Sequence, residues 1–361
     1  MFRAFRTDRE DAATDTGRIR MKEFRGIVSV LGLGAAMAVP MQAVAQDTHS
    51  FKFAHVFPAD HYFWEHGAKP FVEQVKEKTG GRISFEVFPA AQLGKDTVSL
   101  LKSGIAESAM LVPSYTPQSL PLTSVTELPG FYSESCEATR MMWEISKPGG
   151  ALNESEYKPQ GIHVLFTIVL PPFKVMTVGK QVKELDDMKG LKIRANGAAM
   201  DKTVSSLGAT PIRVTAGELY DSLSRGTVDG GFWPYHSVRT YQLDDVFKYA
   251  VDGLQLGSGS TVFAISDKAW NTLSPEDQAI LTEAGAAAQQ NLCQWLDTEE
   301  KAVHDDLVAN HGLSVTTLEG AAAKDWQDRV SHVAEEWAAE LDKLNRPGTA
   351  MLEAFAATKS Q

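Results

Sequence analysis

The chain has 361 residues, of which 43% are hydrophobic and 22% are charged, and its formal net charge at pH 7 is −11. An acidic balance of this size argues against nucleic acid and against anionic membrane surfaces as partners. The part that follows residue 45 is long enough to form two lobes, each with its own hydrophobic core.

The first 45 residues predict a secretory signal peptide. Arg25 precedes a small and apolar run over residues 26–39, and Ala43-Val44-Ala45 has the small-x-small pattern of a cleavage site. The run of about 14 residues is shorter than the roughly 20 needed to span a bilayer. Residues 1–20 are charged and patternless, which indicates Met21 as the true start. We therefore expect a soluble protein exported to the periplasm.

Only two cysteines are present, Cys136 and Cys293, and they lie far apart in sequence. An oxidising compartment permits a disulfide bridge. The sequence alone favours two isolated, inert thiols instead. Two cysteines without accompanying histidines do not make a zinc site.

From residue 50 onward, short apolar runs alternate with helical patterns, which indicates an α/β architecture. The first strand is predicted over residues 51–56. Four apolar residues follow at the spacing of one buried helix face: Trp64, Ala68, Phe71 and Val75. Pro70 should kink or restart this helix, and Gly80-Gly81 should end it. Alternating apolar residues over 83–87 predict the next strand.

A faint internal repeat has the frame Leu-x-x-Gly-x-x-acid. It occurs from Leu101 to Glu107 and again from Leu223 to Asp229, each time after a helical pattern and before an apolar run. The two copies indicate either equivalent helix ends, one in each lobe, or two ordinary glycine caps.

Three further helical features follow in the last third of the chain. Ser274-Pro275-Glu276-Asp277 is a strong helix start. A helix from 275 to about 310 would be roughly 50 Å long. A second helical run is predicted over residues 321–344, and residues 356–361 are predicted to be a frayed tail.

The most informative single residue is Arg194, because Ile193-Arg194 ends a short apolar run where a strand should stop. Open α/β sheets bind small ligands at the carboxyl ends of their strands. A planar guanidinium fits a carboxylate through two parallel hydrogen bonds. The alternative is an ordinary surface arginine at the end of a strand.

Five segments in the same order over roughly 180 residues resemble the DctP family, the extracytoplasmic solute receptors of TRAP transporters. They are Phe51-Lys-Phe-Ala-His55, residues 79–94, Phe173-Lys174-Val-Met-Thr177, Gly190-Leu-Lys-Ile-Arg194 with Leu207-Gly-Ala-Thr-Pro211, and Glu218 to Gly230. The resemblance implies a two-lobe periplasmic binding protein fold in which one long helix spans both lobes. We expect lobe 1 over residues 46–165, lobe 2 over 166–254, and a return to lobe 1 over 255–361.

The resemblance also implies roles for residues of a ligand-binding cleft. Arg194 would form a salt bridge to the ligand carboxylate. Phe173 and Lys174 match a ligand-facing motif of dicarboxylate-binding members, so Lys174 would meet a second anionic group. The alternative for Lys174 is a solvated lysine at a strand edge.

The sequence departs from the family pattern at Asp229-Gly-Gly-Phe232-Trp233-Pro234. Many members have Glu-Asn at the two central positions, where the asparagine helps to hold the ligand. Trp233 replaces that amide with a large flat apolar face and one N–H donor, which favours a ligand with an apolar or ring-shaped body. Phe232 cannot hold the bridging cation that a glutamate holds in some relatives, so no metal is expected.

Other candidate residues follow from their places near these motifs. Tyr115 lies in a segment that resembles a cleft-lining loop, so its ring would either stack on the ligand or pack in a turn. The remaining candidates for the cleft walls are Tyr235, His236, His55 and Phe57.

Catalytic and metal-binding motifs are weak in this sequence. His61, Glu65 and His66 do not have the spacing of a zinc protease, and no third ligand follows from the sequence. Gly257-Ser-Gly-Ser260 lacks the frame of a nucleophile elbow. We expect no catalytic site and no cofactor.

The combined interpretation is a periplasmic receptor that closes on a small organic acid and delivers it to the membrane permease of a TRAP-type secondary transporter. We expect it to be a monomer. Three alternatives remain open at this point: a receptor of an ATP-driven importer, a ligand-sensing receptor without transport, and an exported hydrolase.

Overall fold

The computed structural model describes residues 47–360. The predicted signal peptide, its cleavage site and the Met21 start lie outside these residues. Within the described part, no helix combines the length and the apolar character that a membrane span requires.

The secondary structure is a mixture of strands and helices, as predicted. The strands are β1 His49–Ala54, β2 Ile83–Phe88, β3 Ser108–Leu111, β4 Ile162–Val169, β5 Lys174–Thr177, β6 Lys192–Ala195, β7 Thr210–Arg213, β8 Gly230–Trp233, β9 Tyr249–Asp252, β10 Ser260–Ser266 and β11 Ser314–Thr317. The helices are α1 Lys69–Lys78, α2 Thr97–Ser103, α3 Ser135–Ser146, α4 Ala198–Ser206, α5 Leu219–Ser224, α6 His236–Thr240, α7 Asp267–Trp270, α8 Pro275–Asn310, α9 Gly320–Val330, α10 Val333–Lys343 and α11 Gly348–Ala357.

The strands form two sheets, one for each lobe. The first has the order β2-β1-β3-β10-β4, with β10 antiparallel to both of its neighbours. The second has the order β11-β9-β5-β8-β6-β7, in which β6 is parallel to β7 and β8. The chain passes between the sheets through residues 170–173, residues 253–259 and α8. The predicted α/β two-lobe fold is confirmed.

The predicted lobe boundaries differ from the sheets in two places. Residue 165 lies inside β4, so this strand of the first sheet continues to Val169. β11 pairs with β9 in the second sheet, so the segment after residue 255 does not return wholly to the first lobe. The second difference arises because the sequence does not show which sheet the four-residue strand β11 joins.

Helix α8 has the predicted extent and is about 54 Å long at 1.5 Å per residue. The Ser274 hydroxyl accepts a hydrogen bond from the Asp277 N–H at 3.1 Å, which is the expected cap. Leu281 and Leu292 lie in the core beneath the first sheet, whereas Val303 and Leu307 lie in the core of the second sheet. One rigid element therefore anchors both lobes.

The two copies of the Leu-x-x-Gly-x-x-acid frame lie at similar places in the two lobes. Gly104 follows α2 and precedes β3 of the first sheet, whereas Gly226 follows α5 and precedes β8 of the second. Both glycines have left-handed backbone angles, with φ of 73° and 67°.

The C-terminal predictions need correction. The helical run over 321–344 is two helices, α9 and α10, because the chain turns at Ser331, whose hydroxyl donates to the Asp328 carbonyl. Residues 356–360 are not a frayed tail. They form the end of α11 and a short 3₁₀ turn, Thr358 is buried, and the Thr358 carbonyl accepts a hydrogen bond from Arg140 at 2.9 Å.

The expectation of two isolated thiols is wrong, because Cys136 and Cys293 form a disulfide. The first turn of α3 packs against α8, which brings the two Cα atoms to 4.8 Å although 157 residues separate them. The Asp297 carboxylate of α8 accepts hydrogen bonds from the N–H groups of Ser135 and Cys136 at 2.6 and 3.0 Å. The disulfide and the cap together join α3 to the long helix.

Removing the bridge should weaken the fold. A disulfide that closes a long loop typically contributes about 2–4 kcal/mol. We expect Cys136→Ser/Cys293→Ser to lower the unfolding free energy in urea by that amount. Reductant should lower the stability of the unmodified protein similarly and leave the double variant unchanged. Equal stability of the reduced and oxidised proteins would contradict a structural role.

Candidate ligand-binding site

A cavity with about 510 Å³ of empty space, part of it open to solvent, lies between the two lobes. The second lobe contributes residues at or after the carboxyl ends of β6 and β8, namely Arg194, Asn196 and Trp233. The first lobe contributes loop residues that include Phe57, Tyr62, Val112 and Tyr115. A wider, solvent-open groove borders the cavity and shares Phe57, Tyr115 and Asn196 with it.

Arg194 is buried in the cavity wall, with 4% of its surface exposed. Its Nε donates to the Val214 carbonyl at 3.0 Å and its Nη1 to the Phe232 carbonyl at 3.3 Å, which fixes the plane of the guanidinium. No carboxylate within residues 47–360 forms an ion pair with it. Burial lowers the pKa of Arg194, because desolvation disfavours the charged form. An anion in the cavity would relieve that penalty.

Glu127 is a buried carboxyl whose charge would act on Arg194. Burial, together with the nearby Asp201, raises the pKa of Glu127 well above its usual range, which disfavours its charged form beside the guanidinium. A Cβ at position 197 would lie 2.1 Å from the Glu127 Oε2. Gly197 also has a φ of 114°, so only glycine fits between the acid and α4.

Trp233 packs directly against Arg194. The guanidinium carbon lies 4.9 Å from the centroid of the indole ring, in the range of a cation–π contact. The Tyr241 ring also meets the indole edge-on, with ring centroids 5.2 Å apart. The predicted aromatic face is therefore present at the cavity and is held rigidly.

Two buried donors at this wall lack partners among the described residues. They are the Trp233 Nε1 and the Asn196 Nδ2. A buried donor without a partner costs about 1–3 kcal/mol, so these groups favour a ligand that supplies acceptor oxygens. Sequence reasoning missed Asn196. Its only signal is its position two residues after Arg194 at the end of the same strand.

Three of the other predicted residues, Phe57, Tyr115 and Phe173, line the cavity. The Tyr115 hydroxyl accepts a hydrogen bond from the Ala216 N–H at 3.3 Å, across the gap between the lobes. Phe57 and Phe173 add apolar surface. With Phe63, Val112 and Leu170 they make much of the cavity lining apolar.

Lys174 does not line the cavity, contrary to the expectation that it meets the ligand. Its Nζ donates to the Glu300 Oε1 at 3.0 Å and to the Pro172 carbonyl at 2.8 Å. Burial alone would raise the pKa of Glu300, but Lys174 and His236 outweigh it and lower the pKa to about 2. The ammonium is thus neutralised by a permanent carboxylate of α8.

The other three predicted residues, Tyr235, His236 and His55, lie behind the cavity wall and not in it. Tyr235 donates its hydroxyl proton to Asp252 at 3.0 Å, and His236 bonds to Glu300. His55 stacks on Trp64, with ring centroids 5.9 Å apart, and burial lowers its pKa to about 4.

Sequence reasoning also missed two hydrogen bonds that join the lobes at the cavity. The Tyr62 hydroxyl lies 3.1 Å from the Ser237 Oγ, and the His61 Nε2 lies 2.9 Å from the Tyr241 hydroxyl. Tyr62, Ser237 and Tyr241 line the cavity. The two residues of each bonded pair are 175 and 180 positions apart in the chain, so no local sequence pattern reveals these bonds.

Comparison with known proteins adds an independent observation. Residues 53–341 match the profile of DctP, described as bacterial extracellular solute-binding protein, family 7. This match covers most of the chain. The protein belongs to the DctP family.

Several relatives match most of this chain, and solved structures share its fold. The C4-dicarboxylate-binding periplasmic protein DctP of Rhodobacter capsulatus is 26% identical, over 87% of this chain and 93% of that protein. A TRAP solute-binding protein of Rhodoferax ferrireducens T118, in complex with copurified benzoate, superposes with a TM-score of 0.77 at 23% identity, covering 87% and 98% of the two chains. A marine metagenome TRAP solute-binding protein specific for aromatic acid ligands, in complex with 3-hydroxybenzoate, gives 0.79 at 22% identity, covering 87% and 99%.

The described part of this DctP-family protein contains no cluster of side chains that suits a metal ion. No group of three or more His, Cys, Asp or Glu side chains within residues 47–360 is arranged to hold a metal ion. His61 bonds to Tyr241, Glu65 pairs with Lys69 at 2.8 Å, and His66 stacks on Trp295. At the departure from the family pattern, Phe232 is fully buried and its carbonyl accepts a hydrogen bond from Arg194.

The burial of His61 makes the free energy of unfolding depend on pH. Burial, with smaller contributions from His236 and His55, lowers the pKa of His61 to about 3. The folded value is below the unfolded value of 6.5, so the unfolded state takes up the proton first as pH falls. The His61 contribution to stability is complete above pH 6.5 and is lost between about pH 6 and 3.

We therefore expect the stability advantage of the unmodified protein over His61→Gln to shrink as pH falls below 6.5. The limiting slope is about 1.4 kcal/mol per pH unit. Urea unfolding of both proteins between pH 4.5 and 8 measures it. A difference that stays constant with pH would mean that His61 is not held neutral.

Proposed function

We propose that this protein is a periplasmic receptor of a TRAP-type transporter that binds a monocarboxylate with an aromatic body. The observation that carries the proposal is the Arg194 guanidinium, which is buried between the lobes, lies over Trp233 and has no ion-pair partner among residues 47–360. A ligand carboxylate would supply the missing charge through hydrogen bonds worth roughly 1.5–3 kcal/mol each.

The cavity favours one carboxylate over two. Lys174 is the predicted partner of a second anionic group, but it lies outside the cavity and is neutralised by Glu300. A second carboxylate would meet the apolar surfaces of Phe57 and Phe173, where an unpaired charge is costly. The relatives whose structures contain benzoate and 3-hydroxybenzoate support the same ligand class.

Closure of the two lobes is the step that reports ligand binding. Residues of both lobes contact the cavity, so a ligand between Arg194 and the first lobe favours the closed state. The integral membrane permease would then recognise the closed, loaded receptor. In this proposal the receptor is a monomer, performs no catalysis and acts in the periplasm.

Loss of the guanidinium should abolish binding without unfolding the protein. Because two charged hydrogen bonds would be lost, we expect Arg194→Ala to weaken binding of benzoate by about 100-fold or more. Calorimetric titration measures this loss. Arg225→Ala removes the same charge at an exposed position and should bind normally. Normal binding by Arg194→Ala, with a folded circular dichroism spectrum, would refute the carboxylate assignment.

Trp233 should select for the aromatic body. We expect Trp233→Asn to weaken binding of benzoate by about tenfold or more, because the stacking surface over Arg194 is lost, and to weaken acetate much less. Titration of both acids with both proteins measures the two changes. Equal losses for the two acids would indicate that Trp233 is only a packing residue.

A further inference from the structure

Two buried N–H donors in the cavity wall, the Trp233 Nε1 and the Asn196 Nδ2, lack partners among residues 47–360. They differ in this respect from several hydroxyls around them. Four hydroxyls of the lining residues already bond to the protein, namely those of Tyr62, Tyr115, Tyr241 and Ser260. The two N–H donors are therefore left for a ligand to satisfy.

The indole is the unambiguous donor of the pair. An indole nitrogen carries a proton and accepts no hydrogen bond, so its requirement for a partner depends neither on a tautomer nor on pH. Arg194 lies over the face of the Trp233 ring, Tyr241 packs against it edge-on, and only 3% of the Trp233 surface is exposed. The ring is thus held in place and does not turn its N–H out to solvent.

Asn196 lies next to Trp233 on the same face of the second sheet. Strands β6 and β8 are parallel, with Arg194 opposite Gly231. Extending this register by two residues places Asn196 opposite Trp233, and residues two apart on a strand face the same side. The amide therefore adjoins the indole at the carboxyl ends of the two strands.

These donors require a different ligand atom from the one that Arg194 binds. The guanidinium carbon lies over the face of the Trp233 ring, 4.9 Å from its centroid. The N–H bond instead lies in the plane of the ring and points outward from its edge, and a hydrogen bond needs its acceptor near the line of that bond. A carboxylate oxygen bound to the guanidinium is offset from this line, so the acceptor for Trp233 belongs to another part of the ligand.

The second recognised group is uncharged. Of the described residues that line the cavity, Arg194 alone has a charged side chain. Indole and amide N–H groups are neutral donors, so a second anion bound to them would remain a costly buried charge. A carbonyl, an ether oxygen or a ring nitrogen satisfies the donors without that cost.

We infer that the ligand carries an uncharged hydrogen-bond acceptor on its aromatic body in addition to its carboxylate, that the Trp233 N–H donates to this acceptor, and that the Asn196 amide supplies the second donor. The inference rests on the proposed function and adds a second recognised group to it. Trp233 then determines specificity through its N–H as well as through its ring.

Acids that differ in a single acceptor atom test the inference. Nicotinate and isonicotinate replace one ring C–H of benzoate with a nitrogen, and 3- and 4-methoxybenzoate replace one CH₂ of the matching ethylbenzoates with an oxygen. Calorimetric titration at pH 7.5 compares the members of each pair. We expect at least one acid with the acceptor to bind about tenfold more tightly than its partner. The pair that shows the difference identifies the position of the acceptor.

Variants connect the preference to the indole. Trp233→Phe keeps an aromatic face and removes the N–H, so we expect the ratio of affinities in the preferred pair to fall from about ten to about one. Trp337→Phe also removes a buried indole N–H, one that donates to the Ser124 Oγ at 2.8 Å away from the cavity, and should keep the ratio. A ratio that survives in Trp233→Phe would overturn the inference.

The variant Asn196→Leu tests the second donor. It keeps a side chain of similar size and removes the amide, so we expect the ratio of affinities in the preferred pair to fall by about threefold or more. An unchanged ratio would overturn the role assigned to Asn196. Because the ratio compares two acids on the same variant, a general loss of stability does not change it.

The outcomes separate the two proposals. Equal affinity within every pair, or a Trp233→Phe variant that weakens all of the acids by the same factor, would overturn the acceptor inference and leave the receptor function standing. If the unmodified protein, unfolded and refolded to remove any bound molecule, binds neither benzoate nor any of these acids, the aromatic ligand class fails, and the acceptor inference fails with it.

Discussion

One charge that the fold does not balance determines the character of the site. Arg194 is almost completely buried, its guanidinium is oriented by two backbone carbonyls, and burial raises the pKa of the nearby Glu127, which disfavours a counter-charge there. A buried cation without a counter-ion is costly, and the scaffold has to be stable enough to hold it there. The same cost becomes a source of affinity once an anion enters.

The scaffold meets this requirement by sharing one rigid element between the lobes. Helix α8 contributes to both hydrophobic cores, is joined to α3 by the Cys136–Cys293 bridge, and carries Glu300 to the rear of the cavity. The helix therefore does more than connect the sheets. It brings a carboxylate to Lys174 and His236, so the Lys174 charge is paired outside the cavity, whereas Arg194 lies in the cavity wall.

The parts of this arrangement that the sequence could predict are local. The end of β6 at Arg194, the start of α8 at Ser274 and the indole at Trp233 each depend on neighbouring residues. The state of Lys174 could not be predicted, because its partner Glu300 lies 126 residues further along. The disulfide and the hydrogen bonds of Tyr62 and Tyr241 could not be predicted for the same reason. Each joins segments more than 150 residues apart, and only the folded chain shows them.

The hydrogen bonds that cross the cleft at Tyr62 and Tyr241 have a consequence for transport. They are formed by the protein alone, so they lower the free energy of an empty closed state as well as that of a loaded one. A ligand shifts the equilibrium only by its differential affinity for the two states. The stronger these protein–protein bonds are, the larger the population of empty receptors that resembles loaded ones, and the less efficiently a permease can distinguish cargo from none.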